Sequence, residues 1–187
     1  MEKNPHHLIL GELTDFLSGE MRIDTHDERY RQKISKYLVQ TLGYEKHQIR
    51  SNEELIITAG NQRARIKVDF LVDQDDKTCM LIKYAPGSLV TRRLSNLAIS
   101  RVIRSYQVPV IVTTNGEDAE IISGLTGKLT GQGLEGIPSK KNLKKIRYGE
   151  AFPAISDSMH EKASRIAYAC EVDGACPCDT DVCLIQP

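Results

Sequence analysis

The chain has 187 residues, 40% hydrophobic and 27% charged, which suits one folded core with an appended segment and excludes wholesale disorder or a fibrous repeat. Its 25 basic and 25 acidic residues cancel, so any contact with a polyanion has to come from a local patch rather than a global field. The longest apolar runs, residues 55–59 and 108–112, fall far short of the roughly 18 residues of a membrane span, and acidic residues interrupt the first apolar stretch where a signal peptide would need its core. A cytoplasmic location and no membrane partner are expected.

In chain order, residues 8–17 suggest a short helix, and Asp24-Thr25-His26-Asp27-Glu28 reads as the start of a longer one. Thr25 can cap the Glu28 amide while the Glu28 side chain reaches back, and the helix then runs to about Leu42 with Tyr30, Ile34, Tyr37, Leu38 and Leu42 in one apolar stripe. Three strands follow at about 54–60, 63–72 and 78–84. The second alternates strictly, with Ala64, Ile66, Val68 and Phe70 on one face and Arg63, Arg65, Lys67 and Asp69 on the other. The third is more continuously apolar and should be central. Ser88 caps a helix predicted to reach about Ser105, followed by strands at 108–113 and 119–123, a basic stretch from Lys140 to Arg147, and a last helix at 156–169. The connection after the third strand is long enough to bring the fourth in parallel, so a mixed sheet with flanking helices is expected.

The segments DERYRQKISKYLVQTLGY (27–44), RARIKVDFLVD (63–73), MLIKYAP (80–86) and YQVPVIVTTNGEDAEIISGLTGK (106–128), in this order and spacing, resemble the restriction-endonuclease-like PD-(D/E)xK superfamily. Within it they are most similar to the N-terminal nuclease domain of type I restriction enzyme R subunits. The resemblance spans residues 24–147. It implies an α/β fold whose core runs helix, three strands, helix, strand over residues 21–147; the remaining residues, 148–187, are expected to form a C-terminal helix and cysteine-rich tail. It also implies Mg²⁺-dependent phosphodiester hydrolysis on DNA, in which carboxylates on the second and third strands hold the cation and a lysine two positions beyond the second acid polarises the phosphate.

Asp69 matches the first carboxylate and Lys83 the lysine, and the two are expected to open into one pocket. The chain departs from the pattern at the second acid, where Leu81 stands. A carboxylate recruited from elsewhere would have to be Glu28 or Glu54, although the cap already accounts for Glu28. Without a second acid the fold implies a nucleic-acid-binding module that has lost catalysis. Arg65 and Lys67 beside Asp69, and a stripe of Arg93, Arg101 and Arg104 on the helix after the third strand, are the candidate phosphate contacts, with an ordinary solvated face as the alternative for the stripe. RNA remains open beside DNA, as does a homo-oligomer.

Four of the five cysteines, Cys170, Cys176, Cys178 and Cys183, fall within 14 residues. Clustered thiolates in a reducing compartment suit Zn²⁺ or an iron–sulfur cluster, so a metal- or redox-responsive protein is a third reading, with free thiols as its alternative. Cys79, inside the third strand, reads as a packed small hydrophobe.

Overall fold

The computed structural model describes residues 9–149, 151–174 and 182–185. It is an α/β fold built on a mixed sheet. A small antiparallel pair, β1 (Gly11–Thr14) and β2 (Met21–Asp24), occupies the stretch expected to hold a short helix, and Gly11, at φ +133°, marks where the extended chain enters it. Helix α1 (His26–Lys36) starts where Thr25 accepts the Glu28 amide and continues as a π-helical turn to Thr41.

The large sheet follows the order β3 (Ile49–Ala59), β4 (Gln62–Gln74), β5 (Lys77–Tyr84), β6 (Val110–Thr114), β7 (Ala119–Ser123) and β8 (Leu129–Gln132). All neighbours are antiparallel except β5 and β6, which run parallel after the crossover through α2 (Arg93–Ser100). That helix is shorter than expected. It closes at Ser100, and residues 101–105 form turns that bring Tyr106 to an isolated bridge with Ala154. Helices α3 (Lys140–Gly149) and α4 (Asp157–Tyr168) complete the set, the latter capped by Ser156.

Side chains on the central strands alternate between two cores. Leu71, Leu81, Ile111 and Ile122 face a cluster that includes Ala98 and Ile99 of α2 and Ala163, Ala167 and Tyr168 of α4. Phe70, Val72, Met80, Ile82, Val112 and Ile121 face the other, with Ile34 and Leu38 from α1 and its π turn and Leu143 of α3. Directly opposed residues share a face, as the pairs Leu71↔Leu81↔Ile111↔Ile122 and Phe70↔Ile82↔Val112↔Ile121 require. The C-terminal part joins the same structure, because α4 packs into the first core and β9 (Val182–Ile185) pairs antiparallel with β4 over Arg63–Ile66.

One glycine holds the β6–β7 hairpin against the chain that enters it. A Cβ at Gly124 would stand 1.8 Å from the Val108 carbonyl oxygen, backbone that cannot swing aside. Gly124→Ala is therefore expected to destabilise the fold by about 3 kcal/mol or more, a fall of roughly 6–12 °C in melting temperature by calorimetry.

Candidate functional site

The strict alternation expected for β4 does not hold through Asp69. Ala64, Ile66 and Val68 belong to the first core, yet Phe70 and Val72 belong to the second, so the face changes by one residue between Val68 and Phe70. Opposite this point on β3 is Asn52, at φ +55°, a left-handed conformation that asparagine tolerates better than most residues. The kink turns the Asp69 carboxylate inward, where it is 6% exposed, instead of leaving it on the outer face with Arg63 and Arg65.

Both Asp69 oxygens are taken. Oδ1 accepts from Arg31 Nε of α1 at 2.6 Å, and Oδ2 accepts from the Tyr84 amide at 2.8 Å, just beyond the last paired residues of β4 and β5. The Arg31 guanidinium also lies over the Tyr84 ring, 5.4 Å from its centroid. Tyr84 stacks on Tyr30 and donates from its hydroxyl to Asp27.

Glu28 lines the same narrow cavity as Asp69, together with Asp15, Arg31, Gln32, Ser35, Ser51, Asn52 and Phe70. Its side chain does not reach back to Thr25 as expected. It accepts from Gln32 Nε2 at 2.7 Å and lies 3.9 Å from Arg31, so only half of the reciprocal cap forms. Gln32 also donates to Asp15 at 3.3 Å. Burial alone would raise the Asp15 carboxyl, but the amides of Ser18 and Leu17 and the Arg22 guanidinium outweigh it and hold Asp15 below the usual range. Glu54 is elsewhere, half-exposed on β3 and paired with Arg65 at 3.4 Å.

Lys83 is not among the residues around Asp69. It follows Leu81 onto the α2–α4 side of the sheet, where Nζ donates to the Lys67 carbonyl at 2.8 Å and pairs with Glu171 at 3.3 Å. The common pocket expected for Asp69 and Lys83 is therefore replaced by two separate settings, one against α1 and one against the segment that follows α4. Leu81 is fully buried in the first core.

The expected arginine stripe is also taken apart. Arg93 forms a two-pronged pair with Glu120, both contacts at 2.6 Å, while Arg101 donates to Gln107 and Arg104 to Thr78 and the Ile103 carbonyl. With α2 ending at Ser100, the last two arginines are no longer on a helix face. Lys141, Lys144 and Lys145 of α3 are exposed, as is Arg63 of β4.

Of the cysteines, Cys176 and Cys178 lie outside the described residues. Cys170 lies in the π-helical turn 169–173 after α4, where burial and the neighbouring Glu171 push its thiol up, away from the thiolate that a metal needs. Cys183 is exposed on β9. Among the described residues, no three His, Cys, Asp or Glu side chains are placed together to hold a metal. No helix among them is long and apolar enough to cross a membrane.

The model of the type I restriction enzyme R protein N terminus matches residues 26–138, more than half of the chain. The chain belongs to this family. The match covers α1 through the turn that precedes α3, the region containing Asp69, Leu81 and Lys83, and it makes the core a restriction-endonuclease-like domain with a nuclease-like, DNA-processing character. Neither the curated proteins nor the solved structures give a significant match.

Sequence reading missed Arg31 and Glu171, the two residues that engage Asp69 and Lys83. Arg31 follows Glu28 by three on a helix, a spacing that puts both on one face, and this was a usable signal. Glu171 carries none, because 88 residues separate it from Lys83.

Two measurements check this geometry. Asp69→Ala removes one of the carboxylates that engage Arg31 and leaves the buried Tyr84 amide without its acceptor, so urea unfolding is expected to show a loss of about 1–3 kcal/mol, the cost of an unsatisfied buried donor. Burial pushes the Cys79 thiol up to about 11, so at pH 8 iodoacetamide should leave Cys79 unmodified in the folded protein and alkylate it only in denaturant, read by peptide mass mapping.

Proposed function

We propose that this chain is a non-catalytic nucleic-acid-binding domain of the restriction-endonuclease-like fold, with DNA as its partner. One observation carries the reading: Asp69, which the resemblance aligns with the first metal-binding carboxylate, accepts from Arg31 on one oxygen and from the Tyr84 amide on the other, while Leu81, which it aligns with the second, is sealed in the core.

The residues present do not fit Mg²⁺. A magnesium ion takes near-octahedral oxygen ligands and keeps several waters, which needs carboxylates facing open, hydrated space. Here Asp69 and Glu28 line a narrow cavity in which the Arg31 guanidinium already engages both carboxylates. No hydrolytic step is therefore derived through a cation. What this chain's residues support is electrostatic contact with a phosphate backbone. The exposed lysines of α3 and Arg63 provide local positive charge on a chain with none overall, which favours backbone binding over base readout.

The test combines cleavage and binding. Supercoiled plasmid incubated with the protein and either Mg²⁺ or Mn²⁺ is expected to stay intact, while a labelled duplex binds at low salt and is released as salt rises. Metal-dependent nicking that disappears in both Asp69→Ala and Lys83→Ala would overturn the non-catalytic reading, and no affinity for duplex or single strand at low salt would overturn the nucleic-acid reading.

A further inference from the structure

Lys83 and Glu171 are both nearly buried, with side chains 13% and 9% exposed. Three groups converge on the Glu171 carboxylate: Lys83 Nζ at 3.3 Å, Arg92 Nη1 at 3.9 Å and the Ser95 hydroxyl, which donates to Oε1. An ammonium, a guanidinium and a hydroxyl turned toward one point offer that point hydrogen-bond donors and two positive charges. That chemistry accepts a phosphate oxygen as readily as a carboxylate.

Lys83, Arg92 and Ser95 lie inside the family region, whereas Glu171 comes from beyond its end at residue 138. The segment carrying it is held at two places. Glu171 sits in the single π-helical turn 169–173 that leaves α4, and β9 lies along Arg63–Ile66 of β4 with Cys183 and Leu184 exposed. Burial would raise the Glu171 carboxyl, but Lys83, Ser95 and Arg92 together outweigh it and hold it below the ordinary glutamate range, so the occupant is an anion.

We propose that Lys83, Arg92 and Ser95 form a phosphate-binding site for the nucleic-acid backbone, and that Glu171 occupies it in the closed protein as an internal substitute for the phosphate. This rests on the nucleic-acid reading above and adds the residues and the gate. Binding requires the turn carrying Glu171 to withdraw, and the backbone phosphate takes the place of the carboxylate against Lys83. The affinity of the intact chain is thereby lowered by the fraction of molecules in which the turn is closed.

The experiment measures anisotropy of a short fluorescent DNA duplex against the full chain, over a salt series, for the unaltered protein, Glu171→Gln, and Glu171→Gln combined with Lys83→Met. Glu171→Gln is expected to bind about tenfold more tightly at low salt and to show a steeper salt dependence by about one unit of log–log slope, as one more phosphate contact demands. The gain should vanish when Lys83→Met is added. Glu171→Asp, which keeps the charge on a shorter arm, gives a smaller gain in the same direction and serves if circular dichroism shows Glu171→Gln unfolded.

Binding by the unaltered chain that is equal or tighter than binding by these folded Glu171 variants overturns the gate and leaves the nucleic-acid reading in place. A gain that survives Lys83→Met overturns the assignment of the site to Lys83. No binding by any of the proteins overturns both.

Discussion

The Asp69 carboxylate is the point on which the two halves of the sheet and the first helix are joined. Strand β4 changes partner there: beyond Phe70 it pairs with β5, and before Lys67 with β9, so the residues between have no ladder on that edge. A buried, unpaired amide at Tyr84 would cost about 1–3 kcal/mol, and the Asp69 side chain removes that cost by accepting it. The carboxylate then needs a cation, because a lone buried charge is far more costly than a paired one, and Arg31 supplies it from α1. Arg31 is itself ordered by Glu28 and the Tyr84 ring, which ties the start of α1 to the end of β5.

Much of the fold was legible because its signals are local. The Thr25 cap, the β3–β4–β5 meander, the parallel return at β6, the β7 strand and the Ser156 cap all follow from periodicity and turn residues within a short window. The failures have nonlocal causes. Residues 9–17 carry apolar residues at spacings that permit a helix, but Gly11 at positive φ and the pairing of Gly11–Thr14 with Met21–Asp24 decide for a hairpin. The helix after Ser88 reads too long from sequence because Val102 continues its apolar spacing, although Val102 and Ile103 reach the first core from a turn. Strand β9 was invisible, since four residues among cysteines become a strand only when β4 offers an open edge.

The site was legible as a set of positions and not as an arrangement. Asp69 lies on the second strand of the meander and Leu81 and Lys83 on the third, as the strand pattern in the sequence has them. Their side-chain directions depend on a kink between Val68 and Phe70 that period-two alternation cannot reveal, and on Asn52, whose tolerance of positive φ is the one local hint in a strand otherwise rich in Glu and Ile. The same limit applies to the arginines. At a hundred degrees per residue Arg93, Arg101 and Arg104 align, but the alignment exists only if the helix continues past Ser100.

The departure at Leu81 accounts for what surrounds it. An acid two residues before a lysine on one strand would supply its counter-ion; with leucine at that position, the Lys83 ammonium lies on the side of the first core with nothing of opposite sign on its own strand. The charge must be exposed, neutralised or matched from elsewhere, and matching costs least when the partner arrives on an element already packed there. Helix α4 is that element: Ala163, Ala167 and Tyr168 fill the core beside Leu81, and the turn that leaves the helix brings Glu171 to Lys83. Asp69 shows the mirror image, an anion matched from α1 by Arg31. The aspartate is thus matched by a cation from α1 and the lysine by an anion from the turn after α4, so the two charges are neutralised separately, by helical segments packed against the two cores of one sheet.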